Sequence, residues 1–200
     1  MEVIPLMPNP ETYSCFPYYL VGEHKLLSDK NTLIDLDSDG TIIRQIESRI
    51  SGIGKSAVDQ VIFTHQHFDH TGSYTKIKEK YNPTFWGFTK TEKTTNLLEA
   101  GMEIEIANTV GKIIHSTVHS NDSILIYSPK EKLLFSGDTP LNIRIDGGSY
   151  PDHYIMLLEE LIALPIDIIY PGHDEPYEDV NTLLRRSLSN VLKSHIYKEK

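Results

Sequence analysis

The sequence predicts an α/β fold in which two mixed sheets pack face to face and helices cover their outer faces, a four-layer αβ/βα sandwich. Three observations carry this expectation. Short strand-like segments with turn residues between them come in two groups, residues 16–36 and 103–135. Each group is followed by segments whose apolar residues recur at helical spacing. No Ser/Gly-rich linker divides the chain, so residues 1–200 are expected to form a single domain whose halves share one interior. A doubly wound parallel sheet explains the two meanders less well.

In chain order, residues 16–21, 25–27 and 32–36 read as the strands of the first meander, separated by Gly22-Glu23 and residues 28–31. After Asp37-Ser38-Asp39-Gly40, the isoleucines at 42, 43, 46, 50 and 53 mark an amphipathic helix that stops at Gly52 and Gly54. Residues 58–64 form a continuous apolar run, the pattern of a strand buried on both faces. It ends in His65-Gln66-His67-Phe68-Asp69-His70. Residues 72–81 read as a helix, 84–87 as a strand and 90–100 as a second helix closed by Gly101.

The second meander comprises residues 103–107, 112–118, 123–127 and 132–135, with turns at Gly111, Asn121-Asp122 and Pro129-Lys130. An irregular loop over 137–151 leads to a helix at 152–164 and a buried-type strand at 166–170, which runs into Pro171-Gly172-His173. Val180, Leu183, Leu184, Leu188, Val191 and Leu192 form one face of a final helix.

Composition narrows the function. With 19 Lys+Arg against 28 Asp+Glu, the formal charge of −9 repels phosphate backbones, so no nucleic-acid partner is expected. Hydrophobic residues at 39% are enough to build a core rather than a disordered chain. The single cysteine, Cys15, can form no intramolecular disulfide. Residues 1–10 hold three prolines and no cationic start, and no apolar run reaches the ~20 residues of a span, so a cytoplasmic protein without membrane contact is expected.

His65, His67, Asp69 and His70 place three imidazoles and a carboxylate within six positions at a strand end. On an extended backbone His65 and His67 share a side, and neutral imidazole with carboxylate suits zinc. Asp69 and His70, offset from that pair, are placed to face a second ion about 3.5–4 Å away. The plainer alternative is an accidental surface cluster. Further candidates each have a structural alternative as well: His119 as a hydrogen-bonded strand-end histidine, Asp138 as a turn cap, His173 as a strand cap, and Asp35 as the start of its turn.

Residues 64–72, THQHFDHTG, resemble the T-H-x-H-x-D-H-x-G signature of the metallo-β-lactamase superfamily. Residues 116–123, STVHSNDS, are similar to its T-P-G-H-T-P-G-S segment. Phe135-Ser136-Gly137-Asp138-Thr139 resembles F-x-G-D-T, Pro171-Gly172-His173 resembles P-G-H, and Leu33-Ile34-Asp35 resembles the L-I-D strand. The resemblance covers nearly the whole chain and implies the metallo-β-lactamase fold. It also implies that His65, His67 and His119 bind one divalent ion, that Asp69, His70 and His173 bind another, and that Asp138 bridges them. Zinc is the first expectation for both ions, with iron or manganese as alternatives. Asp69 would orient the nucleophile. Val118 in place of the usual glycine and Asn121-Asp122 in place of proline-glycine imply an altered loop around His119. His24, His115, His153 and His195 match no ligand position.

A site with both His70 and Asp138 is similar to those of glyoxalase II, lactonases and processing nucleases more than to typical antibiotic-hydrolysing lactamases. The acidic charge sets RNA processing aside. The resemblance therefore implies a glyoxalase II-like hydrolase that cleaves an ester, thioester or lactone of a small molecule with a metal-bridging hydroxide. Glyoxalase II proteins carry a longer helical carboxy-terminal region that binds glutathione, whereas only residues 176–200 follow the last candidate ligand here. Alternatives are a mononuclear-iron oxygenase similar to the persulfide dioxygenases, relying on His65, His67 and His119, a phosphodiesterase of the same fold, and a noncatalytic metal-stabilised interaction protein. Asn142, Arg144 and Tyr150 in the 137–151 loop are pocket-wall candidates by position.

Overall fold

The computed structural model describes residues 1–24, 26–49 and 55–196. The first sheet contains β1 (Glu2–Pro5), β2 (Tyr18–Val21), β3 (Thr32–Ile34), β4 (Gln60–Ile62), β5 (Thr84–Gly87) and β6 (Asn96–Leu97), side by side in that order. Its first two pairings are antiparallel and the remaining three parallel. The second sheet contains β7 (Glu103–Ile106), β8 (Thr109–His115), β9 (Ile124–Ser128), β10 (Leu133–Gly137) and β11 (Ile168–Pro171), and only β10 and β11 run parallel in it. The helices are α1 (Ile42–Arg49), α2 (Phe68–Thr71), α3 (Tyr74–Tyr81), α4 (Asp152–Ala163) and α5 (Val180–Ile196).

Neighbouring residues on a strand point to opposite faces, and here both faces are buried. Ile34, Ile62, Ile126 and Phe135 fill the space between the sheets. Their neighbours Leu33 and Val61 instead meet Ile42 and Ile46 of α1 and Ile77 of α3. On the far side, Leu125 and Leu134 meet Tyr154, Leu158 and Leu161 of α4 and Leu184 and Val191 of α5. Three apolar interiors therefore separate four layers, which explains why these strands read as continuous apolar runs. Each fully buried Leu or Ile contributes about 1.5–3 kcal/mol.

Several elements differ from expectation. Strand β1 pairs with β2 although Pro5, Pro8 and Pro10 mask it in the sequence; it lies at a sheet edge, where proline is tolerated. The strand expected at 25–27 does not form at Leu26 and Leu27, which are exposed and sit in or beside a turn, and Lys25 lies outside the described residues. Ile50, Gly52, Ile53 and Gly54, the expected end of the first helix, also lie outside them.

The helix expected over 90–100 is absent. Thr91 and Thr94 bond to Gln66, Thr95 bonds to the Phe85 backbone, and Asn96-Leu97 pairs with β5. Thr and Asn side chains that bond backbone and neighbours in this way compete with helix formation. The turn expected at Gly111 falls earlier, at Ala107-Asn108, where Ala107 has φ 49°. Gly111 lies inside β8, where a Cβ would come within 2.8 Å of Ile126 Cγ2.

Candidate metal centre

The candidate residues come from separate elements that end at one place. Asp35 follows β3, His65 and His67 follow β4, and Asp69 and His70 lie on α2. His119 sits between β8 and β9, Asp138 directly follows β10, and His173 follows β11. The four-residue α2 turns the backbone sharply after His67, whose carbonyl accepts hydrogen bonds from the His70 N–H and the Thr71 hydroxyl. That change from extended to helical backbone aims Asp69 and His70 away from the pair before them.

The seven candidate ligands fall into two groups of donor atoms, each with all members within 4.8 Å of one another: His65, His67 and His119, and Asp69, His70, Asp138 and His173; among the described residues Cys15, Asp35 and His70 form a third that shares His70. Asp138 lies between the first two. Its Oδ2 is 3.6 Å from His119 Nε2, 3.9 Å from His65 Nε2 and 3.4 Å from His173 Nε2, and its Oδ1 is 3.1 Å from His70 Nε2. Asp69 Oδ2 is 3.0 Å from His173 Nε2.

Whether this arrangement fits divalent cations is tested by its unpaired atoms. His65 Nε2, His70 Nε2, His173 Nε2 and Asp138 Oδ1 are buried and meet facing groups at 3.0–3.9 Å without forming a well-oriented hydrogen bond. A buried polar atom left unpaired costs about 1–3 kcal/mol, and these atoms, His65 Nε2 in the first group and the other three in the second, call for a partner in each. Ligands at about 2.0–2.1 Å from a tetrahedral zinc lie roughly 3.3 Å from one another, within the spread of the separations found here. The residues fit.

The charges agree. Burial pushes the Asp138 carboxyl up, but the facing His173 and His70 outweigh it and hold the group well below the carboxylate range. Burial likewise opposes charge on His70, yet Asp35 raises its pKa well above the imidazole range. His65 is pushed down to about 4, chiefly by burial and then by His70, which leaves its ring neutral and able to donate a lone pair. The two carboxylates thus draw positive charge into the centre.

Asp35 supports His70 from behind. Its Oδ2 accepts from His70 Nδ1 at 2.9 Å and from the Thr64 hydroxyl at 2.7 Å, while its Oδ1 accepts from the Thr64 N–H at 2.7 Å. A proton held on Nδ1 leaves Nε2 free to ligate. Gly172, beside the end of the neighbouring strand, leaves room for the Asp138 carboxylate, because a Cβ there would lie 2.4 Å from Asp138 Oδ1. Cys15 also borders His70, but its buried thiol is pushed up to about 12 and faces the Leu36 carbonyl.

A cavity of about 270 Å³ opens over the cluster, walled by Thr139, Leu141, Asn142 and Tyr177 beside His119, Asp138 and His173. Of the loop candidates, Asn142 lines this cavity, Arg144 lines an adjoining one, and Tyr150 instead packs with its ring tilted against Tyr154 of the core. Tyr13, which sequence patterns gave no reason to single out, stacks on His173 with ring centroids 5.1 Å apart. Tyr177 was likewise unmarked, and only its closeness to His173 in sequence hinted at it. The loop around His119 is a tight turn in which the Ser120 hydroxyl bonds to Asp122 and Ser123. His115 stacks on Phe88, His153 bonds to Thr117 and His24 is exposed, whereas the His195 side chain lies outside those described.

Comparison with known proteins adds lineage. Residues 17–173 match the family described as the Metallo-beta-lactamase superfamily. A hydroxyacylglutathione hydrolase from Bradyrhizobium sp. (strain BTAi1) is 27% identical over 176 residues, 83% of this chain and 65% of that protein. An atrochrysone carboxyl ACP thioesterase from Aspergillus fumigatus is 22% identical over 168 residues, 78% of this chain and 51% of that protein. The chain thus spans between about half and two thirds of the length of these curated relatives. The crystal structure of ETHE1 from Myxococcus xanthus shares the fold, with a TM-score of 0.72 at 20% identity over 99% of this chain and 90% of that one. With the fold, the four-layer packing and a family match over residues 17–173, the chain belongs to the metallo-beta-lactamase superfamily.

Proposed function

We propose that the protein is a dinuclear, glyoxalase II-like metal-dependent hydrolase of small thioesters, esters or lactones, built as one domain. In this reading His65, His67 and His119 would hold one cation, Asp69, His70 and His173 would hold the second, and Asp138 would serve both. The observation that carries it is the convergence of five imidazoles on the Asp69 and Asp138 carboxylates, with His65 Nε2, His70 Nε2, His173 Nε2 and Asp138 Oδ1 buried and without a well-oriented hydrogen bond. The names of the two curated relatives, a hydroxyacylglutathione hydrolase and an ACP thioesterase, favour thioester over phosphodiester substrates.

Two divalent cations supply a water acidic enough to ionise near neutral pH and a Lewis acid for the scissile carbonyl. Asp69 orients the attacking water and offers Oδ2 as the acceptor for its proton. His173, whose Nε2 lies 3.0 Å from that oxygen, would share the second cation with Asp69, and Tyr13 stacked on the imidazole fixes the orientation of the ring. The side chains of Leu141, Asn142 and Tyr177 wall off the mouth and orient the bound substrate. No protein nucleophile takes part: Cys15 is fully buried and its thiol is pushed up to about 12.

Zinc is the first choice for this His/Asp set, with iron or manganese as alternatives, and the lone cysteine fits a cytoplasmic setting. Among the described residues no helix is long and apolar enough to cross a membrane. Elemental analysis combined with a thioester, lactone and phosphodiester panel on the same metal-loaded preparation tests the proposal. Two equivalents of metal and turnover of a thioester or lactone are expected. One iron per chain without hydrolysis would overturn it.

A further inference from the structure

A second cavity, of about 640 Å³, adjoins the one over the metal centre, and the two share Asn142 and Tyr177. Arg144 from the 137–151 loop and Arg186 from α5 both line it. The cation–carboxylate pairs within 4 Å among the described residues engage Lys30, Lys80, Lys132 and the amino terminus, and no arginine. In a chain of net charge −9, two guanidinium groups without a carboxylate partner therefore face one cavity beside the site. Glu178 and Asp179 line the same wall, both exposed and neither within 4 Å of a guanidinium, and Asp179 immediately precedes α5, where the helix dipole favours a carboxylate.

The position of Arg144 is set by the helix. Ser187 accepts from the Ile143 N–H and donates to the Leu141 carbonyl, Asn190 donates to the Ile143 carbonyl, and Ser194 bonds both backbone groups of Gly147. These three side chains are buried on one face of α5. They hold the backbone of residues 141, 143 and 147 against the helix, and the intervening Asn142 and Arg144 side chains line the cavities. Arg186 Nη2 donates to Asn142 Oδ1 at 2.6 Å, which fixes one edge of its guanidinium and leaves the other N–H groups to a ligand.

We propose that Arg144 and Arg186 form a subsite for an anionic group, a carboxylate or a phosphate, at the non-reacting end of the substrate. This deepens the hydrolase reading and rests on it for the identity of the reacting end. A guanidinium fork matches the paired oxygens of either anion, and a charge-assisted bond of this kind is worth about 10-fold in affinity or more. The substrate then lies from the metal centre, past Asn142 and Tyr177, to the arginine pair, and the subsite selects anionic over neutral substrates.

Three thioether probes that differ only at one end test this by NMR titration of the zinc-loaded protein: 3-(propylthio)propanoate, its carboxamide, and 2-(propylthio)ethyl phosphate. Both anions are expected to bind about 10-fold more tightly than the carboxamide, and the tighter of the two identifies the group. Arg144→Gln and Arg186→Gln should each remove most of that preference, and Arg186→Lys should keep part of it. Arg185→Gln, an equal change of charge on the side of α5 that lines neither cavity, should leave the preference intact. A preference that survives the Arg144→Gln/Arg186→Gln double variant, or no preference at all, would overturn the subsite. Turnover of the matching acetyl thioesters is followed in parallel. Turnover without anion preference rejects the subsite alone, whereas anion preference without turnover rejects the hydrolase reading alone.

Discussion

Replacing Asp35 by Asn probes how the site prepares His70. The carboxylate is 3% exposed and accepts three hydrogen bonds, two from Thr64 and one from His70 Nδ1. Asn keeps the size and one acceptor oxygen, and it tolerates the left-handed backbone at this position, where φ is 58°. Its amide places N–H groups where Oδ2 stood, so His70 Nδ1 must become an acceptor and its proton moves to Nε2. That nitrogen, 3.1 Å from Asp138 Oδ1, then cannot ligate. Losing a hydrogen bond between charged groups costs about 1.5–3 kcal/mol, and substitutions behind a ligating histidine weaken metal affinity by about 10–100-fold. Competition against a chromophoric chelator reads both metal equivalents. One equivalent should weaken by that factor, while the one assigned to His65, His67 and His119 stays within a few-fold. Wild-type affinity for both equivalents, or an equal loss at both, would refute the reasoning.

Other substitutions address the remaining parts of the site. Gly172→Ala drives a Cβ into Asp138 Oδ1 and His70 Cε1, and steady-state kinetics should show a loss of about 100-fold in turnover with unchanged circular dichroism. Asp69→Ala should lower kcat by about 10³-fold in a fully metallated protein, and unchanged kcat would contradict its role. In the metal-free protein His65 should contribute a loss of stability in acid, opposed by His70 and His173, whose pKa values are raised. Because the His65 pKa is about 4 in the folded state against about 6.5 unfolded, its contribution is complete above about 6.5 and is lost as the pH falls to 4. At most about 3 kcal/mol is involved, and urea unfolding of wild type and His65→Asn between pH 7 and 4 isolates it as the difference in slope.

The sequence made the layers legible because Leu33-Ile34, Val61-Ile62 and Leu134-Phe135 each send adjacent apolar side chains to two different interiors, a pattern that a half-buried strand cannot show. The seven candidate ligands were legible as types at strand ends, and the structure brings their side chains to one place. The role of Asp35 was only half legible, since the same residue could start a turn. Its contacts to Thr64 and His70 are long-range facts about how β3, β4 and α2 meet.

What misled was local chemistry. Residues 90–100 carry helix-compatible residues, but Thr91, Thr94 and Thr95 found partners on Gln66 and Phe85, and those contacts exist only after β5 has docked. Gly111 looked like a turn because glycine usually marks one, while here it makes room for Ile126 on the neighbouring strand. Tyr13 carried no pattern at all, and only the fold brings it to His173.

Anomalous diffraction from crystals of the metal-loaded protein is the most direct measurement of the central claim. Two peaks about 3.5–4 Å apart are expected, one within bonding distance of His65, His67 and His119, the other of Asp69, His70 and His173, with Asp138 reaching both. A single peak, or peaks bound by other side chains while these seven stay unligated, would contradict it.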